Sequence, residues 1–346
     1  MPPLRSLTLM LTNRCNLSCA YCYHGEQDTP TDMSLDTLDK ALDLATKSGN
    51  KGFHVQLTGG EATLVPHLIA QASEKVRGLD HSCTISLQTN ATRLNPELVE
   101  LIKKYSIDIG VSLDGPPQIQ EQLRGKAGAL LQGLNILEAA CIPFRVTTVV
   151  SQANVQFLPQ VAILLSRYQQ AQGMGLDLLV RKGRAVDRQR LPADPRSLRQ
   201  NINELIQTLV RVNKKRSTPL HLREQDLVYH RMTAADQTPL RAFCHAQQGT
   251  SLAVSVAGAL YPCSQTFGDP NFTAGTVDDP LPVPGFPATA LSTDNPLCGT
   301  CPLEQCCPGD CPSRIWYNRQ DRDRLSCHVY QAIASTFPYS QPLNNQ

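Results

Sequence analysis

Short apolar segments alternate with segments of helical periodicity through the first half of the 346-residue chain. The apolar segments span residues 4–11, 53–57, 83–87, 107–111, 144–150 and 176–180. Six such alternations are typical of parallel βαβ units joined by right-handed crossovers. The pattern therefore predicts an α/β fold, a partial (β/α)6 TIM-like barrel rather than the complete eightfold one.

Polar and glycine-rich residues follow four of these predicted strands. A cysteine-rich loop follows the first strand, and residues 59–61 (Gly-Gly-Glu) follow the second. Residues 88–90 (Gln-Thr-Asn) follow the third, and residues 112–115 (Ser-Leu-Asp-Gly) follow the fourth. Because the carboxyl ends of the strands form the active face of such barrels, we expect the functional residues at these positions.

The loop after the first strand carries Cys15, Cys19 and Cys22 in a Cys-x3-Cys-x2-Cys run. Structural zinc takes four ligands, and a cubane iron–sulfur cluster also takes four protein thiolates. Three cysteines therefore leave one iron of a cubane open to a substrate or a cofactor. The alternative is a zinc-binding loop in which a residue such as His24 supplies the fourth ligand.

Composition narrows the class of protein further. The chain has 13 cysteines, and 7 of them lie between Cys263 and Cys327. It has 32 Lys and Arg against 30 Asp and Glu, a balance that does not favour bulk binding to nucleic acid or to an anionic membrane. No apolar run is long enough to span a bilayer. We expect a cytoplasmic protein whose crowded cysteines are reduced and bind metal.

The second half of the chain predicts two further units. Asp194 is placed to cap a helix with a continuous apolar face. Residues 251–256 and 259–263 predict a β-hairpin with a tight turn at Gly258. We therefore divide the chain into a barrel at residues 1–190, a helical connector at 191–240 and a small cysteine-rich domain at 241–346.

The cysteine run, with an aromatic residue directly before its last cysteine, resembles the signature of the radical SAM superfamily. That resemblance implies a [4Fe–4S] cluster whose open iron is chelated by S-adenosylmethionine. The residues expected to contact this cofactor are Tyr21, Gly59, Gly60, Glu61, Ser112 and Arg124. Glu61 would bind the amino group, Arg124 the carboxylate and Tyr21 the adenine. Ser112 and Asp114 would bind ribose hydroxyls or line the substrate cavity, and Asp114 is the candidate catalytic residue.

The tail resembles the SPASM motif of radical SAM enzymes that modify peptides and proteins. Its seven cysteines are Cys244, Cys263, Cys298, Cys301, Cys307, Cys311 and Cys327. The resemblance implies two auxiliary [4Fe–4S] clusters, so three clusters in all. The outer cluster would be held by Cys298, Cys301, Cys307 and Cys327, and the inner one by Cys244, Cys263 and Cys311. Two zinc sites are the alternative.

Three cysteines remain outside these sets. Cys83 and Cys141 lie in or beside apolar segments, so we expect them to be small core residues. Cys306 is a possible fourth ligand of the inner cluster. Otherwise the fourth position of that cluster stays open for substrate.

The resemblance covers nearly the whole chain and implies a radical reaction. The reduced first cluster would cleave S-adenosylmethionine into methionine and a 5′-deoxyadenosyl radical, which would take a hydrogen atom from a ribosomally synthesised precursor peptide. The product would be a cross-link, an excision or a rearrangement. One alternative is an anaerobic sulfatase-maturing enzyme that forms formylglycine; that family has an aspartate where Ser264 follows Cys263 here. A non-enzymatic iron–sulfur or zinc-binding module is the other alternative.

The same reading predicts partners. The chain starts directly on its first strand, so we expect a separate leader-recognition protein or direct docking of the leader on the barrel edge. A basic group could hold an acidic leader, although a solvated loop is the simpler interpretation; it consists of Arg181, Lys182, Arg184, Arg188 and Arg190. A flavodoxin- or ferredoxin-type protein would donate the electron. We expect no nucleic acid and no membrane.

Overall fold

A single mixed sheet organises the protein. The computed structural model describes residues 3–25, 29–233, 243–286, 298, 301–304, 306–307, 309–319 and 324–337. Within these residues the sheet has nine strands in the order β7-β6-β5-β4-β3-β2-β1-β8-β9. The first six strands therefore lie side by side in the order in which the chain makes them, and each pairs in parallel with the next. The predicted α/β fold with a partial barrel is confirmed.

The strands are β1 Ser6–Met10, β2 His54–Thr58, β3 Thr84–Thr89, β4 Ile107–Ser112, β5 Phe144–Val150, β6 Ala171–Leu178, β7 His221–Leu222, β8 Ser251–Val254 and β9 Leu260–Tyr261. The described helices are α1 Leu35–Thr46, α2 Pro66–Arg77, α3 Pro96–Tyr105, α4 Pro117–Leu123, α5 Ala127–Ala139, α6 Leu158–Leu165, α7 Arg184–Asp187, α8 Pro195–Asn213, α9 Arg223–Thr233, α10 Pro312–Tyr317 and α11 Leu325–Ser335.

Three helices begin where a side chain caps them. Ser34 Oγ accepts a hydrogen bond from the Thr37 amide at the start of α1. The side chains of Asn95 and Asp194 accept corresponding amide bonds at the starts of α3 and α8. Such caps satisfy amides that have no partner within the helix, and the cap at Asp194 was predicted from the sequence.

The sixth strand differs from its prediction, and β7 and α9 are among the later elements that were missed. The predicted segment was 176–180, whereas β6 begins at Ala171 and ends at Leu178. Glycines at 173 and 175 interrupt the apolar pattern, because they contribute no side chain to it. β7 has only two residues, too few for any periodicity, and the polar first turn of α9 hides that helix.

The predicted hairpin is confirmed, and it joins the barrel sheet. β8 and β9 pair antiparallel, and β8 pairs in parallel with β1. Leu252 and Val254 of β8 enter the same buried core as Leu7 and Leu9 of β1. The hairpin therefore extends the barrel sheet beyond its first strand, and the domain boundaries given above stay a prediction.

The last helix packs on the connector. α11 contacts both α8 and α9, and it contributes Leu325, Val329 and Ile333 to the main core. Within the described residues, no helix is long and apolar enough to cross a membrane.

Candidate functional site

A cavity of about 990 Å³ lies at the carboxyl ends of the barrel strands. It brings together nearly all of the predicted cofactor contacts and the first cysteine group, namely Cys15, Cys19, Tyr21, Cys22, Gly59, Gly60, Glu61, Ser112 and Arg124. Residues 88–90 also line it. The expected location of the site is therefore reproduced, while the individual roles of these residues stay predictions.

The first three cysteines form a neighbouring group of thiols. Burial is the main cause that raises the pKa of the Cys15 thiol to about 11, and the nearby Cys19 and Cys22 add to the rise. Burial also raises the pKa of Cys19, while the Arg124 guanidinium opposes that rise. Metal binding deprotonates such thiols, so this donor set fits an iron–sulfur cluster beside the cavity.

No group of three or more His, Cys, Asp or Glu side chains converges as it would around a single metal ion, as far as the described residues extend.

The cysteine loop is clamped by the segment after β6. The Arg184 amide donates to the Cys22 carbonyl at 3.0 Å, and its guanidinium donates to Ser18 Oγ at 2.7 Å and to the Gly25 carbonyl at 3.2 Å. Gly183 has φ +55°, and a Cβ there would lie 2.7 Å from the Cys22 carbonyl oxygen. Only glycine fits this close approach.

The contacts of Lys182 and Arg184 correct the expectation that the basic group could hold an acidic leader. Lys182 Nζ donates to the carbonyls of Gln265 at 2.9 Å and Phe267 at 2.6 Å, so it ties the barrel to the segment after the hairpin. Arg184 holds the cysteine loop. These two head groups are occupied inside the protein, so they are not placed to hold an acidic leader peptide.

The Glu61 carboxylate is buried and held by protein donors. Its Oε1 accepts from the Thr63 amide at 3.2 Å, Thr63 Oγ1 at 2.7 Å and Thr89 Oγ1 at 2.6 Å. Its Oε2 accepts from the Asn90 amide at 2.7 Å. A carboxylate has about four acceptor sites over its two oxygens. Three donors crowd Oε1, whereas Oε2 accepts one bond and keeps capacity for a further donor, such as an ammonium group.

The glycines before Glu61 line the cavity and also make a backbone contact that was not predicted. A Cβ on Gly60 would lie 2.2 Å from the Arg14 carbonyl oxygen, and a Cβ on Gly59 would lie 2.5 Å from that of Thr12. The Gly60 amide donates to Thr12 and the Glu61 amide to Arg14, at 2.7 and 2.8 Å. These glycines therefore let the motif dock on the start of the cysteine loop, which fixes the loop against β2.

Asp114 lies behind the cavity wall rather than on it. It is fully buried, and its Oδ2 accepts bonds from the Tyr21 hydroxyl and from Arg124 Nε, the latter at 2.8 Å. Its Oδ1 accepts from the Val149 amide at 2.9 Å. This placement favours a positioning role over contact with substrate, contrary to its status as the candidate catalytic residue.

Tyr21 and Arg124 are oriented by that carboxylate. The Arg124 guanidinium lies over the Tyr21 ring, 5.3 Å from its centroid. Burial raises the pKa of Tyr21 well above its usual value, so its hydroxyl stays a donor. Arg124 uses Nε for Asp114, and among the described residues no acceptor contacts its two terminal nitrogens. Those nitrogens suit a carboxylate of a bound cofactor.

A second cavity, of about 510 Å³, is lined by Cys244, Cys263 and Cys311. Burial is the main cause that raises the pKa of the Cys311 thiol to about 12, and the other two thiols add to it. The structure thus brings together the three cysteines predicted for the inner cluster.

The two cavities share part of their walls. The shared residues include Asp177, Arg223, Ser264 and Gln265. Asp177 Oδ1 accepts from Arg223 at 2.8 Å, and both side chains are about half exposed. The sequence did not reveal this pair, because Asp177 fell inside the misplaced sixth strand and Arg223 follows the two-residue β7.

The four cysteines predicted for the outer cluster also lie together. Burial raises the pKa of Cys307, and neighbouring Cys301 and Cys298 raise it further. The pKa of Cys327 is raised by burial and then by Cys307 and Cys298. Gln331 Nε2 donates to Cys301 Sγ at 3.6 Å, so α11 supports this group.

The three remaining cysteines lie apart from the inner group. Cys306 adds to the raised pKa of Cys307 and packs on the main core beside Cys301. Its place with the outer group argues against the hypothesis that it completes the inner cluster. Cys83 packs on the main core, whereas Cys141 is exposed, so the prediction of a core position was wrong for Cys141. Its φ of 54° shows that it sits in a turn after α5.

Known proteins share this sequence pattern. A profile described as the radical SAM superfamily matches residues 9–150. An uncharacterised protein of Methanocaldococcus jannaschii is 31% identical over 268 residues, which span 75% of this chain and 85% of that relative. The chain belongs to the radical SAM superfamily. Radical SAM membership implies a [4Fe–4S] cluster and S-adenosylmethionine, which the thiol group, Glu61 and Arg124 are suited to bind.

Two further proteins are similar to this radical SAM protein over nearly its whole length. The serine-type anaerobic sulfatase-maturating enzyme of Klebsiella pneumoniae is 24% identical, over 99% of this chain and 90% of that enzyme. The solved structure of SuiB from Streptococcus suis bound to its precursor peptide SuiA has a TM-score of 0.67 at 15% identity, over 94% of this chain and 76% of SuiB. The latter similarity is one of fold.

Proposed function

We propose that this radical SAM protein is a maturase that modifies a ribosomally synthesised precursor peptide. The observation that carries the proposal is the shared wall between the two cavities, formed by Asp177, Arg223, Ser264 and Gln265. A peptide side chain in the first cavity would lie between the cofactor contacts and the inner cysteine group. The fold similarity to SuiB, a protein solved with a precursor peptide, supports a peptide as the substrate.

Each part of the first cavity has a defined task in this proposal. Cys15, Cys19 and Cys22 hold the cluster. Glu61 receives the ammonium group of S-adenosylmethionine, and the terminal nitrogens of Arg124 receive its carboxylate. When bound, the cluster and S-adenosylmethionine supply reductive cleavage and hydrogen-atom abstraction. The protein residues orient the cofactor and keep water away from the reacting carbon.

The two tail groups would hold one auxiliary [4Fe–4S] cluster each, which makes three clusters. Their grouping into three inner and four outer thiols supports this count. The inner thiols would hold a cluster beside the wall shared with the first cavity, where it would supply a site for an electron from the substrate. A flavodoxin- or ferredoxin-type donor and a separate leader-recognition protein, both in the cytoplasm, complete the proposed system.

Sulfatase maturation is a second candidate, favoured by the full-length similarity to the Klebsiella enzyme. Against it, the residue after Cys263 is a serine rather than an aspartate. The Ser264 hydroxyl accepts from the Tyr23 hydroxyl at 3.4 Å, so no carboxylate occupies that position.

The experiment that tests these candidates uses anaerobically reconstituted, full-length protein with a strong reductant. It is incubated separately with precursor peptides encoded by neighbouring short genes and with a sulfatase-derived peptide, and mass spectrometry follows peptide mass and 5′-deoxyadenosine. We expect 5′-deoxyadenosine and a mass change in a precursor peptide, both lost in Cys19→Ala. Formylglycine in the sulfatase peptide would favour the second candidate, and absence of 5′-deoxyadenosine with every peptide would overturn both.

A further inference from the structure

The inner cysteine group has one ligand too few for a cubane. Cys244, Cys263 and Cys311 line the second cavity, whereas each iron of a [4Fe–4S] cluster takes a ligand from outside the cluster. The proposed function, on which this inference rests, leaves the fourth position unassigned.

Asp310 directly precedes Cys311 and forms part of the same cavity wall. Its side chain is only 6% exposed. Its Oδ1 pairs with the Arg314 guanidinium and accepts from the Cys311 amide. Its Oδ2 is enclosed, and no donor among the described residues reaches it.

An enclosed carboxylate oxygen without a partner is costly, because burial removes its hydration and nothing in the protein replaces it. Such atoms call for an explanation, and a bound ion is one of the standard ones. The cavity beside Asp310 is the one that the three thiols also line, so a metal centre there would supply the missing partner.

Among the described residues, the two other carboxylates that line this cavity and the remaining tail cysteine are engaged elsewhere. The Glu224 carboxylate accepts from the Leu176 amide and from Arg223. Asp177 is paired with the same Arg223. Cys306 lies with the outer thiols.

We propose that Asp310, through Oδ2, is the fourth ligand of the inner auxiliary cluster. Cys244, Cys263 and Cys311 supply the other three ligands, and Oδ1 keeps its bond to Arg314, which balances the negative charge of the site. The fourth iron is then closed by the protein. Substrate stays in the first cavity, and the inner cluster exchanges electrons with it instead of binding it.

The test uses the full chain carrying Cys15→Ala, Cys19→Ala and Cys22→Ala, so that the open iron of the first cluster does not interfere. After anaerobic reconstitution and reduction, ¹³C-cyanide is added, and pulsed EPR detects ¹³C coupling to a cluster. Iron and sulfide are counted in parallel. We expect no ¹³C coupling when Asp310 is intact, a new coupling in Asp310→Ala, and none in Asp310→Cys, where a thiolate replaces the carboxylate.

Several outcomes would overturn the proposal. The first is ¹³C coupling with Asp310 intact. The second is no coupling in an Asp310→Ala variant that keeps its iron. The third is an equal loss of iron from Asp310→Ala and from Asp310→Cys. Loss from Asp310→Ala with recovery in Asp310→Cys would support it. Arg314→Gln is the matched control for the ion pair and should leave the cyanide result unchanged.

The test also separates this proposal from the proposed function. If Cys244→Ala combined with Cys263→Ala leaves the iron content unchanged, no inner cluster exists and the proposed function fails at that point. If that variant loses iron while the Asp310 variants behave like the unaltered protein, only the ligand assignment fails.

Discussion

Glu61 combines a structural role with the cofactor contact proposed for it. Four protein donors hold its carboxylate in one orientation, and one position on Oε2 remains for a cofactor. A fixed carboxylate loses little freedom on binding, so the site is organised before the cofactor arrives.

Glu61→Gln should lower both stability and cofactor affinity. The amide can satisfy the donors at Oε1, but its NH₂ group then faces the Asn90 amide, and two donors meet. We expect the free energy of unfolding to fall by about 1–3 kcal/mol and S-adenosylmethionine binding to weaken. Denaturant unfolding and equilibrium dialysis measure the two effects. Glu121→Gln is the control, because it replaces another carboxylate, one that accepts only a single backbone amide. Equal effects of the two changes would contradict the prediction.

Asp114→Asn should weaken cofactor binding although Asp114 does not line the cavity. The change removes the charge that orients Arg124 and the acceptor of the Tyr21 hydroxyl. We expect the dissociation constant for S-adenosylmethionine to rise about tenfold, equal to about 1.4 kcal/mol, with iron content unchanged. Asp108→Asn, at an exposed position of β4, should have no effect. Normal affinity with lowered thermal stability would assign Asp114 a purely structural role.

The residue types and spacings sufficed to place most of the site on one edge of the sheet. Cys15, Glu61 and Ser112 were predicted because each follows a recognisable strand. The role of Asp114 behind Tyr21 and Arg124 was not predictable, since burial and hydrogen bonding between distant residues leave no local pattern in the sequence.

At the scale of elements, the cysteine loop depends on the segment between β6 and α7. Gly183 adopts a left-handed φ and touches the Cys22 carbonyl, and Arg184 bonds both ends of the loop. The loop that carries the first thiols is thus shaped by a segment about 160 residues away in sequence.

Gly183→Ala should impair the first cluster selectively. The added Cβ would clash with the Cys22 carbonyl and would strain the backbone by about 1–3 kcal/mol. We expect loss of iron from the first site, measured as the EPR signal that changes when S-adenosylmethionine is added, while the auxiliary clusters remain. Gly125→Ala is matched to it, because Gly125 also has a positive φ but nothing lies within 4 Å of its Cβ position. A similar loss in both variants would show that strain alone is responsible.

The hairpin shows which structural features a local sequence pattern can predict and which it cannot. The hairpin was predictable from its alternating residues and the turn at Gly258. Its pairing with β1 was not, because strands more than 200 residues apart carry no local signal of their partnership.

At the scale of the whole molecule, the described residues contain three separate thiol groups. The first group borders the cofactor cavity, the inner group shares a wall with it, and the outer group is supported by α11. The shared wall brings the first two groups to neighbouring cavities, so the proposed clusters there would be neighbours.

Removing one thiol group at a time should remove one cluster at a time. We expect iron and sulfide each to fall by about one third in Cys15→Ala/Cys19→Ala/Cys22→Ala, and likewise in Cys298→Ala/Cys301→Ala/Cys307→Ala, since three similar clusters share the total. Elemental analysis with EPR provides the measurement, and Cys141→Ala is the control at an exposed cysteine. Unchanged iron in the second variant would reduce the count of clusters.

A chain that ends after residue 233 should aggregate. It lacks β8 and β9, so the outer edge of β1 exposes backbone groups that pair with other chains. Size-exclusion chromatography with light scattering measures this. A full-length variant with the seven tail cysteines changed to alanine keeps the hairpin and should elute like the unaltered protein. A truncated chain that also elutes without aggregates would contradict the prediction.

The place of β8 beside β1 also has a consequence for biosynthesis. β1 is complete at Met10, whereas β8 ends only at Val254. At about 5–20 residues per second, a ribosome needs on the order of ten seconds to a minute to make the stretch between them. Throughout that time the nascent chain carries an unfinished sheet next to its first thiols, and the edge of β1 that later pairs with β8 is open to pairing with other chains.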